Sequence, residues 1–312
     1  MQQGQTEAGP DRAESADRTA TLMRRATYAS VATAGVLIIA KVFAYLMTDS
    51  VSLLSTLLDS LLDTVASVVN LFAVRTALTP ADREHRFGHG KAEPLAALGQ
   101  AAFITGSAIF LLFETGSRLV NPQPLHNTAI GIAVMLFAIV ATLLLVSYQR
   151  YVIRRTNSLA IKADSLHYFG DLLVNGSVIV ALLLVAQFGW TFIDPLFGAG
   201  IALYILYTAW QIARGALDML MDRELPDEDR KRIRAIAMAH PEVQSLHDLR
   251  TRGAGPTSFI QVHLEMDGKM TLYEAHAVAD AVETEIRTAF PGAEVMIHQD
   301  PVGLSEEQAR FG

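Results

Sequence analysis

The sequence predicts a membrane protein, an all-α bundle of six transmembrane helices followed by a small cytoplasmic α+β domain of order αββαβ. Three observations carry this. The chain of 312 residues is 51% hydrophobic and only 18% charged, with a mean hydropathy of +0.29, whereas soluble proteins carry about 25% charged residues. Its apolar residues gather into six long blocks before Asp222, each near the length of about 20 residues that a helix needs to cross a bilayer core. After Asp222 charged residues become frequent and the apolar runs shorten.

Residues 1–20 are polar, contain Pro10 and several acids, and are expected to form a disordered tail. They hold no apolar stretch that would make a signal peptide. The transmembrane domain occupies 21–221. Its first span covers about 28–47 and is broken only by Lys41; the second, 51–77, carries Asp59, Asp63, Asn70 and Arg75. The third covers 95–119. The fourth, 128–149, has no charged residue; the fifth, 159–188, crowds its charges near the start; the sixth covers 195–221. Helices are preferred because a backbone in lipid must satisfy its own hydrogen bonds, and barrel strands would instead alternate over about ten residues.

Lys and Arg mark the cytoplasmic loops. Arg12, Arg18, Arg24 and Arg25 precede the first span, Arg83, Arg86 and Lys91 follow the second, and Arg150, Arg154, Arg155 and Lys162 follow the fourth. The connections 48–50, 120–127 and 189–194 hold neither residue, and Arg118 is the nearby exception. Both termini are therefore expected inside, in a plasma-membrane protein. The soluble domain, 222–301, opens with a helix over 226–239, where Pro226 and acids lead. Strands over 245–252 and 257–266 flank a Gly-Ala-Gly-Pro turn, and Val262, Leu264 and Met266 alternate with Gln261, His263 and Glu265. An amphipathic helix over 271–290 and a strand over 293–298 complete the order, and 302–312 reads as a flexible tail.

The chain has no cysteine, so a metal site must use imidazole and carboxylate. A net charge of -7 without a basic stripe excludes nucleic acid as a partner. A carboxylate at the centre of a spanning helix costs about 2.5–3.5 kcal/mol on insertion scales, so intramembrane acids need a role or a partner. Asp59 and Asp63 stand four residues apart on the second span, on one helical face. His167 and Asp171 repeat that spacing on the fifth. The two pairs reach matched depth near the midplane from helices that enter on opposite sides. Three carboxylates and one imidazole suit tetrahedral zinc, and without a cation their mutual repulsion favours uptake of protons. The alternative is that each acid pairs with a base such as Lys41. In the loop after the second span, Asp82, His85 and His89 fall close together in DREHRFGHG. They suit zinc, and equally a solvated polar loop.

The pairing of DSLLD with HYFGD resembles the transport site of the cation diffusion facilitator family. From about Ala26 to Pro301 the chain is similar to its bacterial zinc and ferrous-iron exporters, through FGHGKAE, LPDE, HDLRTR, FIQVHLEM and IHQDP. The resemblance implies a proton-coupled efflux transporter of the inner membrane, a homodimer working by alternating access, with a metallochaperone-like cytoplasmic domain. It implies that the Asp82, His85 and His89 loop binds metal. It also implies a binuclear zinc site joining two protomers, from His247, His263, His276, His298, Gln299 and Asp300. Asp300 is a carboxylate able to bridge two ions. A charge interlock of Lys91 with Asp222 is implied at the cytoplasmic membrane surface. Glu93 receives no role, and His126 and His240 match no site.

Other classes fit less well. FGHGKAE lacks the phosphate-loop spacing of an ATP-driven pump, and no H-E-x-x-H motif with a spare base supports a metallohydrolase. A metal-gated channel or a sensor without proton coupling remains as the alternative. Zinc is the expected ion, with cadmium, ferrous iron, cobalt, nickel or manganese acceptable to the same ligands. His167 is expected to release a proton when metal binds, since imidazole switches near neutral pH.

Overall fold

The computed structural model describes residues 10–48, 51–120, 129–188 and 193–303. The expectations for 1–9, 49–50, 121–128 with His126, 189–192 and 304–312 lie outside these residues, as does the side chain of Asp59. The chain divides into a unit of residues 20–217 and a second that takes in 218–312.

Six long helices form the first part: α1 Pro10–Thr48, α2 Val51–Ala77, α3 Ala92–Val120, α4 Ala129–Thr156, α5 Leu159–Phe188 and α6 Ile193–Leu220. The order agrees with the sequence, with one correction at the start. Helix α1 reaches back to Pro10, into the segment expected to be disordered. Proline at a first helical position has its φ preset and loses no intrahelical bond. Among the described residues, five helices have a stretch long and apolar enough to cross a membrane, within α1, α2, α3, α4 and α6. In helix α5 the second half is apolar, and the charged and polar groups Lys162, Asp164, His167 and Asp171 gather in the first half. It is an inner helix there, with Ala160, Ile161, Ala163, Asp164, Ser165, His167 and Tyr168 all buried.

Helices in lipid gain little from burying apolar surface against one another, so close packing by small residues takes over. Ala97 and Ala101 of α3 meet Ala163 of α5 and Ala216 of α6, while Ala108 of α3 meets Ala209 of α6. The α4–α5 turn is made by Asn157 at φ 51°, its amide bonded to the Ile153 carbonyl at 2.8 Å. Asparagine tolerates this left-handed position at a helix end. Glu93 is buried and accepts the Ala160 amide at 3.4 Å, so an acid of α3 helps cap the start of α5. Lys41 donates to Ser60 Oγ at 2.5 Å.

The second unit contains α7 Asp227–Met238, β1 Ser245–Ala254, β2 Thr257–Met266, α8 Leu272–Ala289 and β3 Glu294–Pro301. The sheet order is β1-β2-β3, with β1 antiparallel and β3 parallel to β2. The β1–β2 turn places Gly255 at φ 61°, which glycine meets without steric cost. One sheet face buries Leu246, Ile260, Val262, Leu264, Met266 and Val295 against Ile233 of α7 and Val278, Val282 and Ile286 of α8. Helix α8 opens with a capping box, in which Thr271 and Glu274 each bond the other's backbone amide. The other face carries Gln261, His263 and Glu265 together with Phe259 and Met296.

Candidate metal sites

In the bundle, α2 presents Asp63 to His167 of α5, with Oδ1 and Nε2 2.8 Å apart. Asp171, one turn further along α5, brings Oδ2 to 3.9 Å from the same nitrogen. These three residues offer ligand atoms all within 4.8 Å of one another, a spacing that a small cation can close. The fourth expected member, Asp59, shares α2 with Asp63, and its side chain is outside the described residues. A cavity of about 660 Å³ adjoins the cluster, lined by Asp63, His167 and Asp171 and, toward the far end of α3, by Ser107 and Glu114. The edge of Phe103 meets the His167 ring at a centroid distance of 5.9 Å.

In the α2–α3 loop, Asp82 lies 3.4 Å from His85 Nδ1 and 3.5 Å from His89 Nε2, with the two rings 4.4 Å apart. Gly88 makes the bend at φ 76°. The His85 backbone amide donates to Asp82 at 2.6 Å and holds that carboxyl below the usual carboxylate range, with desolvation opposing it. Nδ1 of His89 is buried and has no hydrogen-bond partner.

On the open sheet face, register performs the assembly. His247 stands opposite His263, and His263 opposite His298, so three imidazoles form one row across three strands. Asp300, two residues after His298, returns to the same face and is buried. Its Oδ2 lies 2.9 Å from His263 Nδ1 and 3.5 Å from His247 Nε2, and its Oδ1 lies 3.2 Å from His298 Nε2. Glu265 approaches the other nitrogen of His247 at 3.2 Å. Neither nitrogen of His247 is aligned for a hydrogen bond, an arrangement better suited to a cation than to a proton between the groups. Asp248 sits at a β-bulge with φ 45° and comes within 3.9 Å of His263 Nε2. The guanidinium of Arg250 holds the Asp248 carboxyl below its usual range.

Two expected members of this site stand apart within one chain. His276 lies on α8, exposed, 3.5 Å from Asp280. Gln299 alternates with His298 and Asp300, which turns it to the opposite sheet face. Asp222 pairs with Arg252 at 3.3 Å, and Lys91 belongs to the other unit. His240 accepts the Glu242 amide at 3.3 Å and joins no cluster among the described residues. Sequence reasoning passed over Asp164, Glu265 and Asp248. A signal existed for two of them: Asp164 is one helical turn before His167, and Glu265 is two strand positions after His263.

Comparison with known proteins identifies the family of both parts of the chain. Residues 27–221 match the cation efflux transmembrane domain, and residues 225–302 match the cation efflux protein cytoplasmic domain. The cation-efflux pump FieF of Klebsiella pneumoniae is 51% identical over 280 residues, 90% of this chain and 93% of that one. The pump of the same name from Escherichia fergusonii is 48% identical over 289 residues, 93% and 96% of the two chains. Among solved structures, the metal-bound C-terminal domain of the CzcD transporter from Thermotoga maritima is 31% identical over 25% of this chain and 93% of that one, with a TM-score of 0.25.

Proposed function

The chain belongs to the cation efflux family, and we propose on that basis that it is a membrane transporter that exports a divalent transition-metal ion from the cytoplasm in exchange for protons. The relatives named cation-efflux pumps are matched over nearly their whole length, which supports the export of a metal cation. One observation carries the proton part. Nε2 of His167 and Oδ1 of Asp63 approach to 2.8 Å inside the bundle, a contact that requires a proton between a ring nitrogen and a carboxylate oxygen. A metal ion binding the same nitrogen needs the same lone pair, so ion and proton compete for one position.

The residues fit the cargo. One imidazole with carboxylates favours zinc or a similar ion over calcium or magnesium, which prefer an all-oxygen shell. Asp63, His167, Asp171 and, by its spacing on α2, Asp59 would bind it. The adjoining cavity supports a site that opens toward one side at a time, as alternating access requires. The loop cluster and the sheet cluster are read as further metal sites. The row of imidazoles on an open sheet face supports a cytoplasmic site completed by a second copy of the chain, with His276 and Gln299 reaching it from the partner protomer.

The test uses purified protein in liposomes with an imposed pH gradient, following zinc or cadmium uptake. Uptake should rise with the gradient, collapse when the gradient is dissipated, and fall by roughly a hundredfold or more in Asp63→Ala, since even residues behind a ligand cost 10–100-fold. Flux that ignores the gradient would reject proton coupling, and unchanged flux in Asp63→Ala would reject this site.

A further inference from the structure

Among the described residues, two buried carboxylates of the bundle lie outside the three clusters, Glu93 and Asp164. Glu93 is accounted for at the start of α5. Asp164 is not. It is 1% exposed, in the stretch of α5 just before the site. Its Oδ1 accepts from Gln100 Nε2 of α3 at 3.2 Å, and its Oδ2 from Gln149 Nε2 of α4 at 2.7 Å. Among the described residues, no Lys or Arg is bonded to it.

The surroundings of Asp164 show what those bonds accomplish. One turn on, the Tyr168 hydroxyl lies 2.8 Å from Ser67 Oγ of α2 and 3.5 Å from the Ser30 carbonyl of α1. At Gly170 there is no room to spare, since a Cβ there would come within 3.1 Å of Ile205 Cδ1 of α6. Every other helix of the bundle therefore grips α5 between residues 164 and 170, the segment that holds His167. The cluster takes ligands from α2 and α5, so its spacing depends on the rotation of α5 about its axis. A carboxylate can accept from two donors on opposite sides at once, and its charge strengthens both bonds.

We propose that Asp164 is a positioning residue for the bundle metal site, a buried carboxylate that fixes the rotation of α5, and with it His167 and Asp171, against α3 and α4. The proposal rests on reading the bundle cluster as the transport site. Asp164 does not touch the ion; it acts through the helix that carries two ligands.

The substitution Asp164→Asn keeps an acceptor and adds a donor. Gln149, whose Oε1 is buried without a partner, can meet that donor by turning its amide. Asp164→Leu removes both bonds at similar volume. The full-length protein is titrated with cobalt, and the absorption that Asp63→Ala removes is taken as the signal of the bundle site. Asp164→Leu should weaken cobalt binding in that signal by about 10–100-fold, the usual range for groups behind a metal ligand, and alter its band shape. Asp164→Asn should recover most of both. Should Asp164→Leu fail to fold, Gln149→Leu, which removes one donor and leaves the acid, should give a weaker form of the same loss.

A parent-like cobalt signal in Asp164→Leu, or in Gln149→Leu where that variant stands in, overturns the proposal. So does an Asp164→Asn protein as impaired as Asp164→Leu, because charge rather than position would then be at work. If Asp63→Ala removes no absorption, the transport-site reading fails and this inference falls with it. If Asp63→Ala removes it and Asp164→Leu leaves it intact, only the inference fails.

Discussion

The bundle cluster and the sheet cluster use the same side chains and reach their geometry by opposite means. In the bundle, a helical repeat of four residues brings His167 and Asp171 together, and one neighbouring helix adds Asp63. In the sheet, residues far apart in sequence, His247, His263 and His298, are aligned by strand register alone. Their enclosure differs as well. His167 is 7% exposed, whereas the His298 side chain is 61% exposed. On the proposed reading, a cargo site in lipid must be shut off within the chain that moves the ion. The sheet cluster lies on an open face, and the proposed second protomer would supply its cover.

Substitutions that separate the two clusters test this contrast. The largest effect is expected from His167→Ala, which should lower metal binding in the bundle by roughly a hundredfold or more while leaving metal-driven dimerisation unchanged. Calorimetric titration together with mass measurement reads both. Asp300→Ala should do the reverse. Three imidazoles face this one carboxylate, so metal should lose about 10–100-fold of its effect on dimer mass, while liposome uptake at saturating metal persists.

Packing and capping effects should be smaller. A β-branched side chain at Gly170 must displace Ile205, and Gly170→Val is expected to cost about 1–3 kcal/mol of stability by overpacking, read by thermal unfolding in detergent. Gly170→Ala should cost less, because the atom it meets is the free end of a flexible side chain. In the second unit, Thr271→Ala removes the hydroxyl of the capping box at a cost of about 1 kcal/mol. The Thr271 amide holds the Glu274 carboxyl below its ordinary value of 4.5. A carboxyl with a lowered folded pKa stabilises the fold fully above the unfolded value and loses that contribution as pH falls through the folded one. Glu274→Gln should therefore be less stable than the parent at pH 7 and indistinguishable from it in acid below both values, as measured by chemical denaturation.

The six helices were legible because bilayer thickness sets a length that few soluble segments match, and the αββαβ order because strand alternation and helix starts are local signals. Asp63, His167 and Asp171 were legible for a related reason, that a costly residue in lipid stands out. Asp164 shares that cost but was passed over, because its partners Gln100 and Gln149 lie on other helices and ordinary amides announce nothing in a sequence. The row of imidazoles was hidden more deeply. Spacing along the chain carries no record of register, so that Glu265 shares a face with His263 could be read from alternation, but that it faces His247 could not.

The bulge on β1 has a consequence for how this domain can vary. Two residues, Asp248 and Leu249, occupy the space between His247 and Arg250 where the opposite strand spends only Val262. That surplus lets His247 and Asp248 stand side by side on the open face, then restores Leu249 and Thr251 to the buried one. Strand β1 is thus written in two phases joined at Asp248. Deleting Asp248 would close the bulge and set Leu249 alone against Val262, with Arg250 still opposite Gln261, so this strand can be shortened by one residue without turning its arginines inward, and what it would lose is the acid beside His247.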